Sequence, residues 1–278
     1  PLLPSMSTDY KVYKEYPKGT WTFIGTTPNT NYIDTNNVCS DTIAYRIELE
    51  DASGCVNVST IDADYFFDGI APAICIIDTV SVNPATGQTT VTWFVNTSPD
   101  VIGYIIYLYN GASWDSIGSV NGINSKTWLY TLSQANFNFE TYSVVAYDSC
   151  GNLSPIGQGH RTIYLEDSLN KCDASIDLWW NSYENMQGGV ASYNIFMSEN
   201  GGAFKFLSNV PSFETSYRHF GIKKDSVYCY FVQAVGNVPT ETSSSNKVCT
   251  TADVLIFPLF TYLKTATVQA HNEIYVEA

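Results

Sequence analysis

The side chains that most often do chemistry are few and scattered along this 278-residue chain. Its three histidines are His160, His219 and His271. An imidazole acts as a general base or a zinc ligand only beside a partner group, and long runs of sequence separate these three. Gly-x-Ser-x-Gly, His-Glu-x-x-His and the phosphate-cradling P-loop motif do not occur. Asp62, Asp64 and Asp68 offer oxygen ligands that calcium could use. The other reading of such acidic linker residues is plain solvated charge. The seven cysteines include no Cys-x-x-Cys pair. That suits disulfides in an oxidising compartment better than zinc. Asp-[Ser/Thr]-aliphatic occurs five times, carrying the hydroxyls of Thr42, Thr79, Ser116, Ser168 and Ser226. Asp-Ser and Asp-Thr pairs are favoured in turns that enter strands.

The elements that would position these residues are strands. Short runs of aliphatic, aromatic and Thr residues are broken by Gly, Pro, Asn and Ser. One phrase recurs three times. It reads Tyr10-Lys11-Val12-Tyr13 then Gly19 and Trp21, Tyr104-Ile105-Ile106-Tyr107 then Gly111 and Trp114, and Tyr193-Asn194-Ile195-Phe196 then Gly202 and Phe204. Each is two strands around a polar turn. A second phrase follows each time: Tyr45-x-Ile47-x-Leu49, Tyr142-x-Val144-x-Ala146 and Tyr230-x-Val232-x-Ala234. Its period of two gives every strand one core face and one solvent face. Trp93 and Trp180 end the strands that precede the phrase in the second and third units. The spacing of about 90 residues is that of one sandwich module. The net charge of −14 opposes nucleic acid and anionic lipid as partners. No apolar run is long enough to insert in a bilayer.

These phrases resemble the fibronectin type III family over nearly the whole chain. The wording is closer still to repeats in large surface proteins of Bacteroidota, of the gliding-motility-associated, type IX secretion cargo type. Ser198-Glu199-Asn200-Gly201-Gly202 and Asp148-Ser149-Cys150-Gly151-Asn152 carry that likeness. The resemblance implies an all-β fold of tandem fibronectin type III-like (immunoglobulin-like) sandwich modules, arranged as an extended rod. It implies a secreted, cell-surface location and a non-catalytic structural or adhesion role. The alternatives are a glycan- or protein-binding module, and an accessory rod of an enzyme whose catalytic domain lies elsewhere. Implied partners are other modules of the same or a neighbouring chain, and secretion or outer-membrane machinery. The Asp-[Ser/Thr] triplets resemble the O-glycosylation motif of exported Bacteroidota proteins. That reading stands beside the turn reading.

The expected modules are a partial one over 1–68 (strands C to G), complete ones over 69–164 and 165–253, and a partial one over 254–278 (strands A and B). The ends suit an excerpt from a longer array, or a chain whose tail completes the next chain's first module. Alternation turns Cys229 and Cys249 outward on strands folded near Pro239, so a cross-strand bridge is expected there. Cys75 and Cys150 share one pole of the second sandwich and form the second expected pair. Cys39 and Cys55 lie at opposite ends of a strand and pair poorly with each other, and Cys172 has no evident partner. Buried free thiols are the alternative. Trp21, Trp114 and Phe204 share one repeated position, and Trp93 and Trp180 another, which points to packing. Each histidine is expected at a surface or strand edge. Trp179, Tyr16, Tyr109 and Trp128 are expected to be exposed singly, without a cluster.

Overall fold

A computed structural model describes residues 9–51, 53–238, 241–255, 263–270 and 273–277. Every helix-or-strand element among them is a strand. The first repeat contributes β1 (Tyr10–Glu15), β2 (Trp21–Thr27), β3 (Ser40–Glu50), β4 (Val56–Val58) and β5 (Asp62–Phe67). They form one sheet in the order β2-β1-β3-β4, with β5 also paired to β3. The second repeat contributes β6 (Ile77–Val82), β7 (Thr89–Trp93), β8 (Val101–Tyr109), β9 (Trp114–Asn121), β10 (Thr127–Tyr130), β11 (Thr141–Asp148) and β12 (His160–Arg161). Its sheets run β10-β7-β6 and β12-β11-β8-β9. The third repeat contributes β13 (Leu165–Asn170), β14 (Ser175–Trp180), β15 (Val190–Glu199), β16 (Lys205–Pro211), β17 (Ser216–Phe220), β18 (Val227–Gly236), β19 (Thr242–Ser244) and β20 (Val248–Thr251). Its sheets run β13-β14-β17 and β16-β15-β18-β19, with β20 also on β18. The turn expected at Pro239 lies outside the described residues. Near the end, β21 (Thr265–Ala270) and β22 (Glu273–Glu277) form an antiparallel pair. Ala278 and His271 lie outside the described residues.

In the second and third repeats the first, second and fifth strands make one sheet and the remaining strands the other. That is the strand order of a fibronectin type III-like sandwich, so the chain is all-β and built of tandem modules. It divides into two compact units. One comprises 1–77, 93–126 and 143–158; the other comprises 78–92, 127–142 and 159–278.

The third repeat shows how the sequence makes its core. Alternation on β18 buries Tyr228, Tyr230, Val232 and Ala234, while Cys229, Phe231 and Gln233 turn away. Opposite them, β13 and β14 bury Leu165, Ile176, Leu178 and Trp180 in the same cluster. Tyr193 and Tyr228 also use their hydroxyls. Tyr193 accepts the N–H of Tyr183 at 2.8 Å, and Tyr228 accepts that of Lys223 at 3.1 Å. Tyr104 repeats the first tie, accepting the N–H of Asn96 at 3.0 Å. A buried phenol thereby satisfies a loop N–H that water does not reach.

The repeat extends to irregularities. The third-to-fourth-strand ladder slips by one residue at Val12/Tyr13, Ile106/Tyr107 and Ile195/Phe196. The tip of the β15–β16 hairpin places Asn200 at φ 53° and Gly201 at φ 75°, the left-handed backbone that Asn and Gly tolerate best.

The first repeat differs in burial. Val12 and Ile43 are buried, yet Ile47 is 40% exposed, whereas Val144 and Val232, at the same point of the repeated phrase, are fully buried. Truncation should report that difference. Ile195→Ala is expected to cost about 2–4 kcal/mol and Ile47→Ala under about 1 kcal/mol. Urea unfolding followed by hydrogen exchange, repeat by repeat, measures both.

Candidate functional site

The polar and covalent features that sequence scatters are gathered where one repeat meets the next. The first such junction is built by the turn after β11. Asp148 accepts the backbone N–H groups of Cys150 and Asn152, each at 2.8 Å. Gly151 turns the chain at φ 84°. The turn presents Cys150 to Cys39 of the first repeat, and the two are disulfide-bonded with Cα atoms 4.9 Å apart. Asp68 donates its N–H to the Cys39 carbonyl at 2.8 Å, and Asn152 Nδ2 donates to the Asp68 carbonyl at 3.2 Å.

Two expectations are corrected here. Cys150 does not bond Cys75, because its turn reaches toward the first repeat while Cys75 is buried, with the Asn96 amide 3.6 Å from its sulfur. Burial also pushes the Cys75 thiol above its ordinary value. Asp62 and Asp64 do not join Asp68. They are exposed on β5, each accepting the N–H of the residue after it. Asp68 instead meets Asp100 and Asp148, with one carboxylate oxygen from each within 4.8 Å of the others. Asp100 and Asp148 belong to turns 32 and 80 residues beyond Asp68, so no local spacing marks the trio. Among the described residues these three are the group that could hold a hard cation.

The second junction closes a sheet edge. Strand β6 ends its sheet, so its outward N–H and C=O groups lack a ladder partner. Third-repeat side chains supply one. The Val80 N–H donates to the Tyr183 hydroxyl at 2.8 Å, and Ser243 Oγ donates to the Val80 carbonyl at 2.7 Å. The Ser244 N–H donates to Ser81 Oγ at 2.9 Å. The Tyr183 hydroxyl also hydrogen-bonds His160 Nδ1, 3.1 Å away. His160 lies on β12, an edge strand of its sheet, yet is only 3% exposed, and burial pulls its imidazole down to about 4. It is therefore neutral at physiological pH. Burial and the nearby Asp78 push the Glu241 carboxyl upward. His219 is half-buried against Tyr230, its Nδ1 2.7 Å from the hydroxyl, and is likewise pulled down by burial. It does not meet His160: each of these two histidines meets a tyrosine hydroxyl of its own.

The remaining residues are placed as follows. Cys229 and Cys249 face each other across β18 and β20 and are disulfide-bonded. Cys55 and Cys172 are exposed and unbonded. Thr42, Ser116 and Ser168 are exposed. Thr79 and Ser226 are buried; the Thr79 hydroxyl meets that of Thr92 at 2.9 Å, and Asn200 Nδ2 lies 3.5 Å from Ser226 Oγ. Their hydroxyls are closed to a modifying enzyme in the folded chain. Trp93 and Trp180 are core residues, and Trp179 is 40% exposed with its Nε1 donating to Glu166 at 2.8 Å. The aromatics are not all single, as expected. On the outer face of the third repeat Phe196 stacks on Phe231 at 4.7 Å, and Phe204 and Phe206 join them edge-on. Cross-strand register gathers the four, which the spacing in sequence hides.

No family model matches the chain, and no curated protein matches it. Among solved structures it is similar to the crystal structure of the FN1–FN3 domains of chicken CNTN1. Identity is 14%, 90% of each chain is covered, and the TM-score is 0.29. The fold assignment rests on the strand order above.

Two outcomes follow. The unfolded chain protonates His160 near its ordinary value of 6.5, while the folded chain does so only near 4. Between those values the unfolded state binds more protons, so stability falls as pH falls from about 6.5 toward 4, by up to about 3 kcal/mol. Urea unfolding at pH 7 and pH 5 measures this, and His160→Gln should remove His160's part of the loss. Glu241 acts with the opposite sign and is common to both proteins. For the carboxylate trio, Asp100→Asn in chelator is expected to be neutral or to stabilise by about 1 kcal/mol through relief of like-charge repulsion. Calcium titration decides occupancy: a rise in Tm that Asp100→Asn lacks marks an ion there, and an unchanged Tm marks three mutually repelling carboxylates.

Proposed function

We propose that this chain is a non-catalytic, extracellular structural or adhesion segment of a repeat-containing surface protein, in which neighbouring modules are tied to one another. One observation carries the reading. Each junction is tied by groups that a free chain would leave to solvent: a disulfide at the first, and a capped strand edge at the second. A chain whose modules moved independently would need neither. The imidazoles support the same reading, since both described histidines are partnered by tyrosine hydroxyls in half-buried or buried settings. The two disulfides suit an oxidising compartment, and so an exported protein. Export by a type IX route from a Bacteroidota-like cell, with O-glycans on the accessible hydroxyls, belongs to this proposal. Its partners are neighbouring modules and the export machinery.

A second reading is favoured by the phenylalanine patch. Phe204 and Phe206 are 38% and 59% exposed beside Phe196 and Phe231. A clustered apolar face on an outer sheet is the kind of surface a protein or glycan partner covers.

NMR relaxation tests the structural reading. In the oxidised chain the first repeat should share the tumbling time of β8 and β9. Replacing Cys39 and Cys150 together by Ser should let it tumble faster, and an unchanged tumbling time would show that the bridge holds nothing. Saturable binding on a glycan array, lost in Phe206→Ala, would move the assignment to the second reading. Mass spectrometry of chain secreted by its own host should find glycan on Thr42, Ser116 or Ser168 and none on Thr79 or Ser226; the bare polypeptide mass would reject glycosylation.

A further inference from the structure

Cross-strand register arranges the outer face of the third repeat in rows. Phe206, Phe196 and Phe231 lie side by side on β16, β15 and β18. Beside them on the same strands, Asn209, Asn194 and Gln233 form a second row. Alternation turns both rows away from the core, and a two-residue step sets them about 7 Å apart. Ile195 and Val232, between the rows in sequence, point inward and are fully buried.

The rings of the first row hold one another. Phe196 stacks on Phe231 with centroids 4.7 Å apart, and Phe206 meets Phe196 edge-on at 6.1 Å. Phe206 still leaves 59% of its surface to water. The amides of the second row are also fixed. Asn209 Nδ2 donates to Asn194 Oδ1 at 2.8 Å and to Ser192 Oγ at 2.9 Å, and Gln233 Nε2 lies 3.4 Å from Ser244 Oγ. These ties use only part of what an amide offers, which is two N–H donors and an acceptor oxygen. Asn194 Nδ2 and Gln233 Oε1 have no hydrogen-bond partner among the described residues, and they stand on neighbouring strands.

Neither row contains a charge. The first repeat shows the contrast, because the same positions there hold Phe23, Tyr13 and Arg46, beside Lys11 and Glu48. Its Arg46 guanidinium lies 5.2 Å over the Tyr13 ring and pairs with Glu48 at 3.0 Å. Rings and charges there satisfy one another. In the third repeat the ring row has no cation, and the amides keep a spare donor and acceptor.

The two rows suit one class of ligand. A sugar ring has apolar C–H faces and a rim of hydroxyls, each both donor and acceptor. Its C–H groups pack on aromatic rings, and adjacent hydroxyls match a fixed amide donor beside a fixed amide acceptor. A wholly apolar cover would bury the Asn194 and Gln233 amides without partners, which is costly. A charged ligand finds no counter-charge in either row, and an anionic one also meets the net charge of −14.

We propose that this face binds a neutral oligosaccharide, with sugar C–H groups on Phe206 and its neighbouring rings and hydroxyls on Asn194 and Gln233. The proposal rests on the second reading of the phenylalanine patch and names its ligand.

The test is an NMR titration of the full oxidised, ¹⁵N-labelled chain with maltohexaose, cellohexaose, laminarihexaose and mannohexaose. At least one sugar should shift the side-chain amide signals of Asn194, Asn209 and Gln233 saturably. Phe206→Ala should weaken that binding about tenfold or more. Asn194→Asp keeps the shape and the bond from Asn209 but replaces the free donor by a charge, and should weaken it about as much. Dispersed backbone signals from each variant show that its fold is kept. A silent panel overturns the proposal, as does binding that survives either substitution. Photo-crosslinking from Phe206→p-benzoylphenylalanine on the host surface judges the broader reading separately. A silent panel with a protein adduct leaves the patch a protein-binding face, and a silent panel without one removes both readings.

Discussion

A sheet with one apolar face must be covered, and this constraint underlies the rest of the structure. Period-two strands separate side chains into two faces, and burying one of them supplies most of the driving force. The third repeat buries it with three further strands, β13, β14 and β17. The core tyrosines show how complete that cover is. Tyr104 and Tyr193 carry a hydroxyl into an apolar interior, which is tolerable only because each meets a backbone N–H from the loop after the second strand. Where the cover is lacking, in the first repeat, the same side chains lie half-open.

The edge of a sheet poses the related problem of unpaired backbone groups, and the second junction is its solution. Val80 would present a bare N–H and C=O at the end of its sheet. Tyr183 and Ser243 of the next repeat occupy both. A device that shields an edge from stray pairing thus also fixes one repeat to the next. His160 is drawn in as a hydrogen-bond partner of the Tyr183 hydroxyl, which explains a buried imidazole without assigning it chemistry. At the first junction the Cys39–Cys150 bridge closes a loop of 111 residues, a constraint worth about 2–4 kcal/mol, and it holds Asp68 close to Asp100 and Asp148 despite their like charge.

Strand identity, repeat length and the core faces were legible in the sequence because they depend on local periodicity. Alternation through Tyr228-Cys229-Tyr230 fixes which side chains turn inward, and the register of two neighbouring strands then brings Cys229 opposite Cys249. The recurring Tyr-x-Val-x-Ala phrase marks the same core positions in the second and third repeats. The fibronectin type III-like sandwich follows from strand order, and strand order follows from those phrases.

Only the tertiary structure decided the contacts made by turns. Cys150 sits in a tight turn, where no alternation tells which way a side chain points, and its partner lies in the preceding repeat rather than at Cys75. Asp68, Asp100 and Asp148 come from three turns with no shared spacing. Thr79 and Ser226 carry the same triplet as Thr42, Ser116 and Ser168 but lie buried; four of the five triplets fall inside strands rather than in turns, and the triplet does not fix the face on which its hydroxyl falls. The phenylalanine patch depends on cross-strand register, with Phe196 beside Phe206 and Phe231. Sequence determines what is periodic along one strand; which loops and faces meet is set by how separate strands assemble, and that information is not local.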